Sequence, residues 1–429
     1  METKIMENLL LKEKINIKEL SNGLKIYYMP KKGYTKQYAI FATKYGSIDS
    51  KFRVESQEKP IEVPEGIAHF LEHKLFEEEE GSIFDKFSHL GSNVNAYTNF
   101  TSTCYLFSST DKFYENLELL VQFVQSPHFT EENVEKEKGI IEQEIRMYED
   151  NPNWKVFFNA LKALYHHHPV KIDIAGTVES INRITKEDLY TCYNTFYTPQ
   201  NMILFIVGDL DEDEVYTTIE KNILWKNESI HDEVERYYPK EPDSVVQNKI
   251  EEKLSVSIPL FNIAFKDVDT GYGGAAFLKK DVITKMLLEM IFGRSSKLYK
   301  ELYEDGLIND TFEGEYTGEK DYGHSMIGGE SKNPDQVYQR VLTHIKELEE
   351  KGLNKNDFER IKRKYIGEHL RSYNSIEFIA TTFVAYHFRD IYIFDYMDTI
   401  KQITFEELQR RFAEHFQPER SVLSVIHSK

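Results

Sequence analysis

The residues with the clearest chemical potential lie in one short stretch, His69-Phe70-Leu71-Glu72-His73. Residues four apart share one face of a helix, so a helix here brings the imidazoles of His69 and His73 together. Neutral imidazoles can hold a metal ion, and the carboxylate of Glu72 beside them can take a proton from a water molecule. This H-x-x-E-H spacing is the inverted form of the common zinc-peptidase motif, and it predicts a hydrolytic metal site.

A second helix carries two further carboxylates of interest. The acidic start at Thr130 predicts a helix that continues to the break at Asp150-Asn151-Pro152. Within it, Glu137 and Glu144 are seven residues apart, which places them two turns apart along the same face. Isoleucines flank both carboxylates, and this is unusual for a purely solvated helix face.

A predicted hairpin follows the motif. Residues 92–98 and 103–107 each have the composition of a strand. The first of these strands could bind an extended peptide along its edge, or it could be an ordinary strand of the sheet. The residues alone do not decide between the two.

Other potential ligands are interpreted as structural. The run His166-His167-His168 precedes Pro169, and three consecutive histidines on a loop do not converge on one ion, so we predict a surface turn. Cys104 and Cys192 lie within apolar runs and are predicted to be core residues. Two distant cysteines do not form a disulfide framework, and they suit a reducing compartment.

Composition limits the class of protein. A chain of 429 residues is too long for a single core and suggests about two domains. The formal charge of −19 argues against a nucleic-acid partner and against an anionic membrane surface. We find no signal-peptide pattern and no apolar run of membrane-spanning length, so a cytoplasmic location is expected.

An internal repeat defines the organisation of the chain. Residues 184–207 and 403–426 align without a gap, and each passage predicts a capped helix, a turn at proline and an apolar strand. The offset is about half the chain, so the fold class is α+β with two tandem duplicated domains. We place the first domain at 1–225, a charged linker at 226–247 and the second domain at 248–429. H-x-x-E-H occurs in the first copy only.

With these residues assembled, the chain resembles the pitrilysin/insulinase family of zinc metallopeptidases, which includes the mitochondrial processing peptidases. Within the family it is similar to the small two-domain bacterial members of the YmfH-like type. The likeness rests on the H-x-x-E-H motif, the Glu137–Glu144 spacing, the strand at 95–98 and the passage from Tyr197-x-Pro199-x-Asn201 to Gly208-Asp209. It implies two α+β domains, each with a mixed, mostly antiparallel sheet packed with helices.

The resemblance also implies roles for individual residues. His69, His73 and Glu144 become the ligands of Zn²⁺, with Glu72 as the general base that activates the water nucleophile. Glu137 becomes an acidic residue that orients a liganding imidazole. The substrate backbone would pair with the strand formed by Asn95, Ala96, Tyr97 and Thr98. The expected activity is zinc-dependent endopeptidase cleavage of unstructured peptides.

One departure from the family pattern affects this expectation. Active members carry R-E-x-x-L-x-Y in the second domain, but here Tyr303 replaces the arginine and Asn309 the tyrosine. We therefore expect a paralogous partner that supplies the missing pair, in a heterodimer, with a homodimer as the other arrangement. Two alternatives remain: a silent zinc-binding subunit that binds peptides or scaffolds an assembly, and a small-molecule hydrolase or lyase with Cys104 as third ligand.

Overall fold

The computed structural model describes residues 4–54, 58–78, 81–225 and 234–429. They form two compact units, and neither unit is continuous in sequence. The first contains residues 1–145, 173–237 and 372–388, and the second contains residues 146–172, 238–371 and 389–429.

The described strands, in chain order, are β1 Lys4–Asn8, β2 Glu13–Glu19, β3 Lys25–Pro30, β4 Gln37–Thr43, β5 Lys51–Val54, β6 Ile61–Glu62, β7 Asn93–Thr98, β8 Thr103–Ser109, β9 Met202–Gly208, β10 Val234–Arg236, β11 Lys249–Leu254, β12 Leu260–Lys266, β13 Glu313–Gly318, β14 Gly323–Glu330 and β15 Ser421–Ser428.

The described helices are α1 Ile67–Leu75, α2 Ile83–His89, α3 Phe113–Val124, α4 Glu131–Glu149, α5 Pro152–Leu164, α6 Val178–Ile181, α7 Lys186–Phe196, α8 Glu212–Asn222, α9 Gly274–Phe292, α10 Lys297–Glu304, α11 Pro334–Lys351, α12 Lys355–Ser372, α13 Ile376–His387, α14 Asp395–Gln402 and α15 Phe405–His415. Within the described ranges, none of them has the length and apolar character needed to cross a membrane.

A seven-stranded sheet forms the centre of the first unit, in the order β1-β2-β3-β9-β4-β8-β7. Its neighbours pair antiparallel except for β3 and β9, which are parallel. Every residue of β9 is buried, as expected for a central strand with a continuous apolar sequence. The helices α1, α3, α7 and α8 contribute apolar side chains to the same core. Strand β7 lies at one end of the sheet.

The second unit contains a five-stranded sheet in the order β11-β15-β12-β14-β13. Here β11 and β15 are parallel and the other neighbours are antiparallel. These two larger sheets are therefore mixed and mostly antiparallel, β5, β6 and β10 form a small antiparallel sheet, and the predicted α+β fold class is confirmed.

The internal repeat corresponds to equivalent structure in the two halves of the sequence. Thr185 and Thr404 each accept a hydrogen bond from the backbone N–H three residues later and complete a capping box, at the starts of α7 and α15. Each helix leads through a short turn at a proline into a buried strand, β9 or β15. Each of these strands has one parallel and one antiparallel neighbour.

The compact units differ from a simple division of the sequence into halves. Helix α5, from the first half, belongs to the second unit, where it packs on β12 and β15. Helix α13, from the second half, belongs to the first unit, where it packs on β4 and β9. The predicted boundaries of 1–225 and 248–429 concern duplicated sequence and stay a prediction. Of the predicted linker, residues 226–233 lie outside the described residues.

Candidate metal centre

The motif residues lie on helix α1 of the first unit. Phe70 and Leu71 are fully buried and attach the helix to the core. His69 and His73 lie on another face, with their side chains 12% and 27% exposed. Glu72 is 8% exposed. The helical spacing places both imidazoles on one face, as predicted for residues four apart.

A glycine fixes the start of this helix. Gly66 has a φ of 86°, in the left-handed region that favours glycine. A Cβ at this position would lie 2.3 Å from the carbonyl oxygen of Ala175, so the two backbones are packed directly together. The hydroxyl of Ser180 also donates to the carbonyl oxygen of Glu65 at 2.8 Å. These contacts set the position from which α1 presents the motif.

Helix α4 brings Glu144 to the two histidines. Its oxygens lie 3.7 Å from Nε2 of His69 and 3.5 Å from Nε2 of His73. One ligand atom from each of the three residues lies within 4.8 Å of the others. Zinc bonds of about 2.0–2.2 Å in a tetrahedral arrangement place ligand atoms roughly 3.4 Å apart. The donor set of two nitrogens and one oxygen therefore fits Zn²⁺ in both chemistry and spacing, and it leaves a coordination position open.

Glu137 orients one of these histidines. Its Oε1 lies 3.0 Å from Nδ1 of His73, and the side chain of Glu137 is only 6% exposed. A proton held on Nδ1 leaves the lone pair on Nε2, the atom that faces Glu144. Burial opposes charge on both groups, but the hydrogen bond and mutual attraction dominate. They raise the pKa of His73 and lower the pKa of Glu137.

The environment of His69 keeps its ring neutral. Burial, and to a smaller extent the neighbouring His73, lowers the pKa of His69 to about 3. Among the described residues, its Nδ1 is buried without a hydrogen-bond partner. A neutral imidazole whose Nε2 faces a carboxylate is ready to bind a cation without first losing a proton.

Glu72 is held by a residue from strand β7. The hydroxyl of Thr98 donates to Oε2 of Glu72 at 2.6 Å. Burial raises the pKa of Glu72, and the hydrogen bond from Thr98 opposes that shift. A carboxylate with a raised pKa is better matched to proton transfer near neutral pH than an ordinary glutamate.

The predicted substrate strand is the edge strand of the seven-stranded sheet. Among the described strands, β7 pairs with β8 only, so the backbone along its other side can pair with an extended peptide. Asn95 accepts a hydrogen bond from its neighbour Ala96 at 2.9 Å, and Tyr97 and Thr98 complete the run. The structure therefore places this edge and Thr98, the hydrogen-bond donor to Glu72, on one strand.

The prediction that the two cysteines are core residues is confirmed, whereas the prediction of a surface turn at the three consecutive histidines is partly wrong. Cys104 and Cys192 are buried as predicted, and burial raises the pKa of each thiol to about 12. No potential metal cluster found among the described residues contains Cys104. The prediction of a surface turn at 166–168 is wrong for His168, which is 1% exposed. Glu241 accepts hydrogen bonds from the three consecutive backbone N–H groups and draws the turn inward.

Sequence reasoning missed two contacts of the site. The sequence predicts Thr98 only as part of the strand that pairs with substrate, whereas its side chain also donates a hydrogen bond to Glu72. Lys74 attracted no prediction, although it is fully buried and ion-paired to Glu137. A lysine directly after the second histidine, on the buried side of a short amphipathic helix, is the signal that could have identified it.

Comparisons with known proteins agree with this arrangement. Residues 61–178 match the family described as "Insulinase (Peptidase family M16)", and residues 183–365 match "Peptidase M16 inactive domain". The chain is 43% identical to the uncharacterized zinc protease YmfH of Bacillus subtilis, over 98% of both chains. A putative M16-like peptidase from Alicyclobacillus acidocaldarius is 37% identical, with a TM-score of 0.94 over 99% of this chain and all of that one. A probable mitochondrial-processing peptidase subunit beta of Arabidopsis thaliana is 25% identical over 58% of this chain and 46% of that one.

The two-unit α+β fold is that of M16-like peptidases, and the first unit holds a His-His-Glu cluster that fits zinc. The chain belongs to peptidase family M16, the insulinase family, and its cofactor is zinc.

Proposed function

We propose that this protein is a zinc endopeptidase that cleaves unstructured peptides. His69, His73 and Glu144 hold the metal, and Glu137 keeps His73 in the tautomer that binds it. The peptide backbone pairs with the open edge of the strand that contains Asn95, Ala96, Tyr97 and Thr98. Zinc, when bound, supplies Lewis acidity, which lowers the pKa of water and polarises a carbonyl group.

Glu72 performs the proton transfers in this proposal. It takes a proton from the attacking water and then delivers it to the amine that leaves when the peptide bond breaks. Thr98 holds the carboxylate toward the site, and burial keeps it dry. Glu72 thus carries the proton from the water to the leaving amine and ends the reaction ionised again.

The observation that carries the proposal is the placement of Glu72. A structural zinc site is closed by protein ligands and has no use for a base. Here a nearly buried carboxylate with a raised pKa lies next to an imidazole ligand and is oriented by a hydroxyl donor. That arrangement supports catalysis over a purely structural metal site.

We propose further that a paralogous partner supplies the Arg/Tyr pair. Tyr303, at the arginine position, is 54% exposed and stacks near Tyr299, with ring centroids 6.0 Å apart. Asn309, at the tyrosine position, donates to Glu330 at 2.7 Å and accepts from Thr311, so its side chain serves a local turn. A donor aimed at developing negative charge contributes about 3–4 kcal/mol to catalysis, so this chain alone is expected to be slow.

The experiment measures cleavage of fluorogenic unstructured peptides by the zinc-loaded chain, alone and with paralogues that carry R-E-x-x-L-x-Y. Glu72→Gln should retain zinc and lose at least about 100-fold in kcat, the usual contribution of a general base. Glu135→Gln is the matched control, because Glu135 is an exposed glutamate of helix α4 paired to Lys138. Cleavage by the zinc-loaded Glu72→Gln variant at the wild-type rate would exclude the mechanism.

The second candidate is a zinc-binding subunit without activity of its own, which binds peptides or scaffolds an assembly. The residues at positions 303 and 309 favour it. In that case no paralogue would restore cleavage, and Glu72→Gln would bind peptides as the wild type does. Full activity of the isolated chain would instead eliminate the need for a heterodimeric partner and leave a monomer or homodimer.

Two further parts of the proposal come from the sequence. The two buried, unpaired cysteines suit a cytoplasmic location. The duplicated halves, 1–225 and 248–429, are proposed to descend from one α+β domain, of which only the first retained the motif.

A further inference from the structure

We propose that Lys74 is a positioning residue of the zinc site, which acts through Glu137. Lys74 directly follows the proposed ligand His73 on helix α1 and is 0% exposed. A fully buried ammonium group is costly unless carboxylates compensate its charge. Among the described residues, its ion-pair partners are Glu77, in a short contact, and Oε2 of Glu137 at 3.6 Å.

The two oxygens of Glu137 have separate partners. Oε1 lies 3.0 Å from Nδ1 of His73, and Oε2 faces the ammonium group of Lys74. A carboxylate fixed at both oxygens cannot rotate away from the imidazole, so the plane and tautomer of His73 are fixed with it. Without Lys74, the buried carboxylate of Glu137 would keep only His73 as a partner among the side chains that the structure describes, and that hydrogen bond would compete with rotation toward water.

The local alternative is that Lys74 only ties down the end of helix α1. Its pairing with Glu77 spans three residues near the helix C-terminus, where a positive charge is favourable in any case. The two roles differ in which partner matters. A positioning role depends on Glu137, whereas a helix-end role depends on Glu77.

The test measures zinc affinity of the full-length protein by competition with a chromophoric chelator. Lys74→Met is expected to weaken zinc binding by about 10–100-fold, the usual effect of losing a residue that supports a metal ligand. Glu77→Gln should leave zinc affinity within about threefold of the wild type, because it leaves the contact between Lys74 and Glu137 intact. Equal losses in both variants would overturn the proposal in favour of the helix-end role.

Lys266→Met is the matched control for removing a buried lysine. Lys266 is 2% exposed and pairs with Glu241 and with the carbonyl oxygens of Pro242 and Ser244. It should lower the melting temperature without changing zinc affinity. If both lysine variants weaken zinc binding equally, the effect is a general loss of stability, and the positioning role is refuted.

A double-mutant cycle tests whether Lys74 acts through Glu137. In a Glu137→Gln background, Lys74→Met should have no further effect on zinc affinity, because the link it acts through is already gone. Full additivity of the two losses would refute the proposal. If the Lys74→Met variant does not fold by itself, the Glu137→Gln variant can still be compared with the double variant. The double variant has glutamine at position 137 and so buries no uncompensated carboxylate there.

A spectroscopic measurement separates geometry from affinity. With Co²⁺ in place of zinc, the visible absorption bands report on the ligand geometry, and Lys74→Met should shift them as Glu137→Gln does. Unshifted bands would argue against positioning. The inference rests on the proposed zinc site: wild-type protein that binds no zinc overturns both, whereas wild-type binding with an unaffected Lys74→Met variant overturns this inference alone.

Discussion

Thr98→Val offers the sharpest test of how the proposed base is controlled. Valine has nearly the same shape as threonine but cannot donate a hydrogen bond. The change removes the 2.6 Å bond to Glu72 and a longer contact, 3.3 Å, between the hydroxyls of Thr98 and Thr103. Glu72 is 8% exposed, so water replaces the lost donor poorly. Hydrogen bonds to charged groups contribute about 1.5–3 kcal/mol.

The direction of the effect follows from the bond. Thr98 stabilises the ionised form of Glu72, so its loss raises a pKa that burial has already raised. One pKa unit corresponds to about 1.4 kcal/mol, so losing this hydrogen bond should raise the pKa of Glu72 by roughly 1–2 units. The acid limb of the kcat/KM profile should move to higher pH by the same amount. Activity should therefore fall most at low pH and recover as the pH rises, because only the ionised carboxylate can accept a proton.

The assay is a pH series of peptide cleavage with the zinc-loaded protein, and with its partner if the chain alone is slow. Thr98→Ser keeps the hydroxyl and should keep the wild-type limb. Thr195→Val is an isosteric control on helix α7, where the hydroxyl donates to the carbonyl oxygen of Thr191 at 2.8 Å. A Thr98→Val profile whose acid limb coincides with that of the wild type would refute this account of Glu72.

Two predictions concern stability. Gly66→Ala combines a left-handed φ with a Cβ only 2.3 Å from a backbone carbonyl oxygen, so it should destabilise the protein by about 2–6 kcal/mol in urea unfolding. Gly91→Ala, with a φ of 74° and open space at the Cβ, isolates the backbone strain, and an equal loss in both variants would contradict the packing argument. Burial lowers the pKa of His324 and His415 to about 3 and that of His369 to about 4. In the unfolded chain each of these histidines takes up a proton near pH 6.5, whereas in the folded protein the ring stays neutral. Lowering the pH from 7.5 to 5.5 should therefore reduce the free energy of unfolding by about 1.4 kcal/mol for each histidine. His369→Phe should reduce the total loss of stability over this pH range by about the contribution of one histidine. An unchanged pH dependence would contradict the lowered pKa of His369.

The motif helix shows which parts of the site can be predicted from local sequence spacing. Four residues cover slightly more than one helical turn, so His69 and His73 had to share a face as soon as that segment was helical. The same rule placed Glu137 and Glu144 along one face of a second helix. Capping boxes at Thr185 and Thr404 are also local, and both are present. These features depend on neighbouring residues only, so they can be predicted from sequence.

Contacts between distant parts of the chain could not be predicted in this way. The hydrogen bond from Thr98 to Glu72 spans 26 residues, and that between Glu137 and His73 spans 64. The burial of His168 depends on Glu241, more than 70 residues further along the chain. Each such contact requires elements from different parts of the sequence to pack together, and hydrophobic periodicity does not specify which ones will.

The sequence by itself determined the chemistry of this protein: two imidazoles and several carboxylates in helical register, within one copy of a duplicated α+β domain. The tertiary structure decided how those groups are tuned. It placed Glu144 beside both histidines, Thr98 beside Glu72 and Lys74 beside Glu137. It also placed helix α5 in the second compact unit and helix α13 in the first. The physical reason is that residue types and spacing set what a group can bind, whereas burial and partners from distant segments set its charge and orientation.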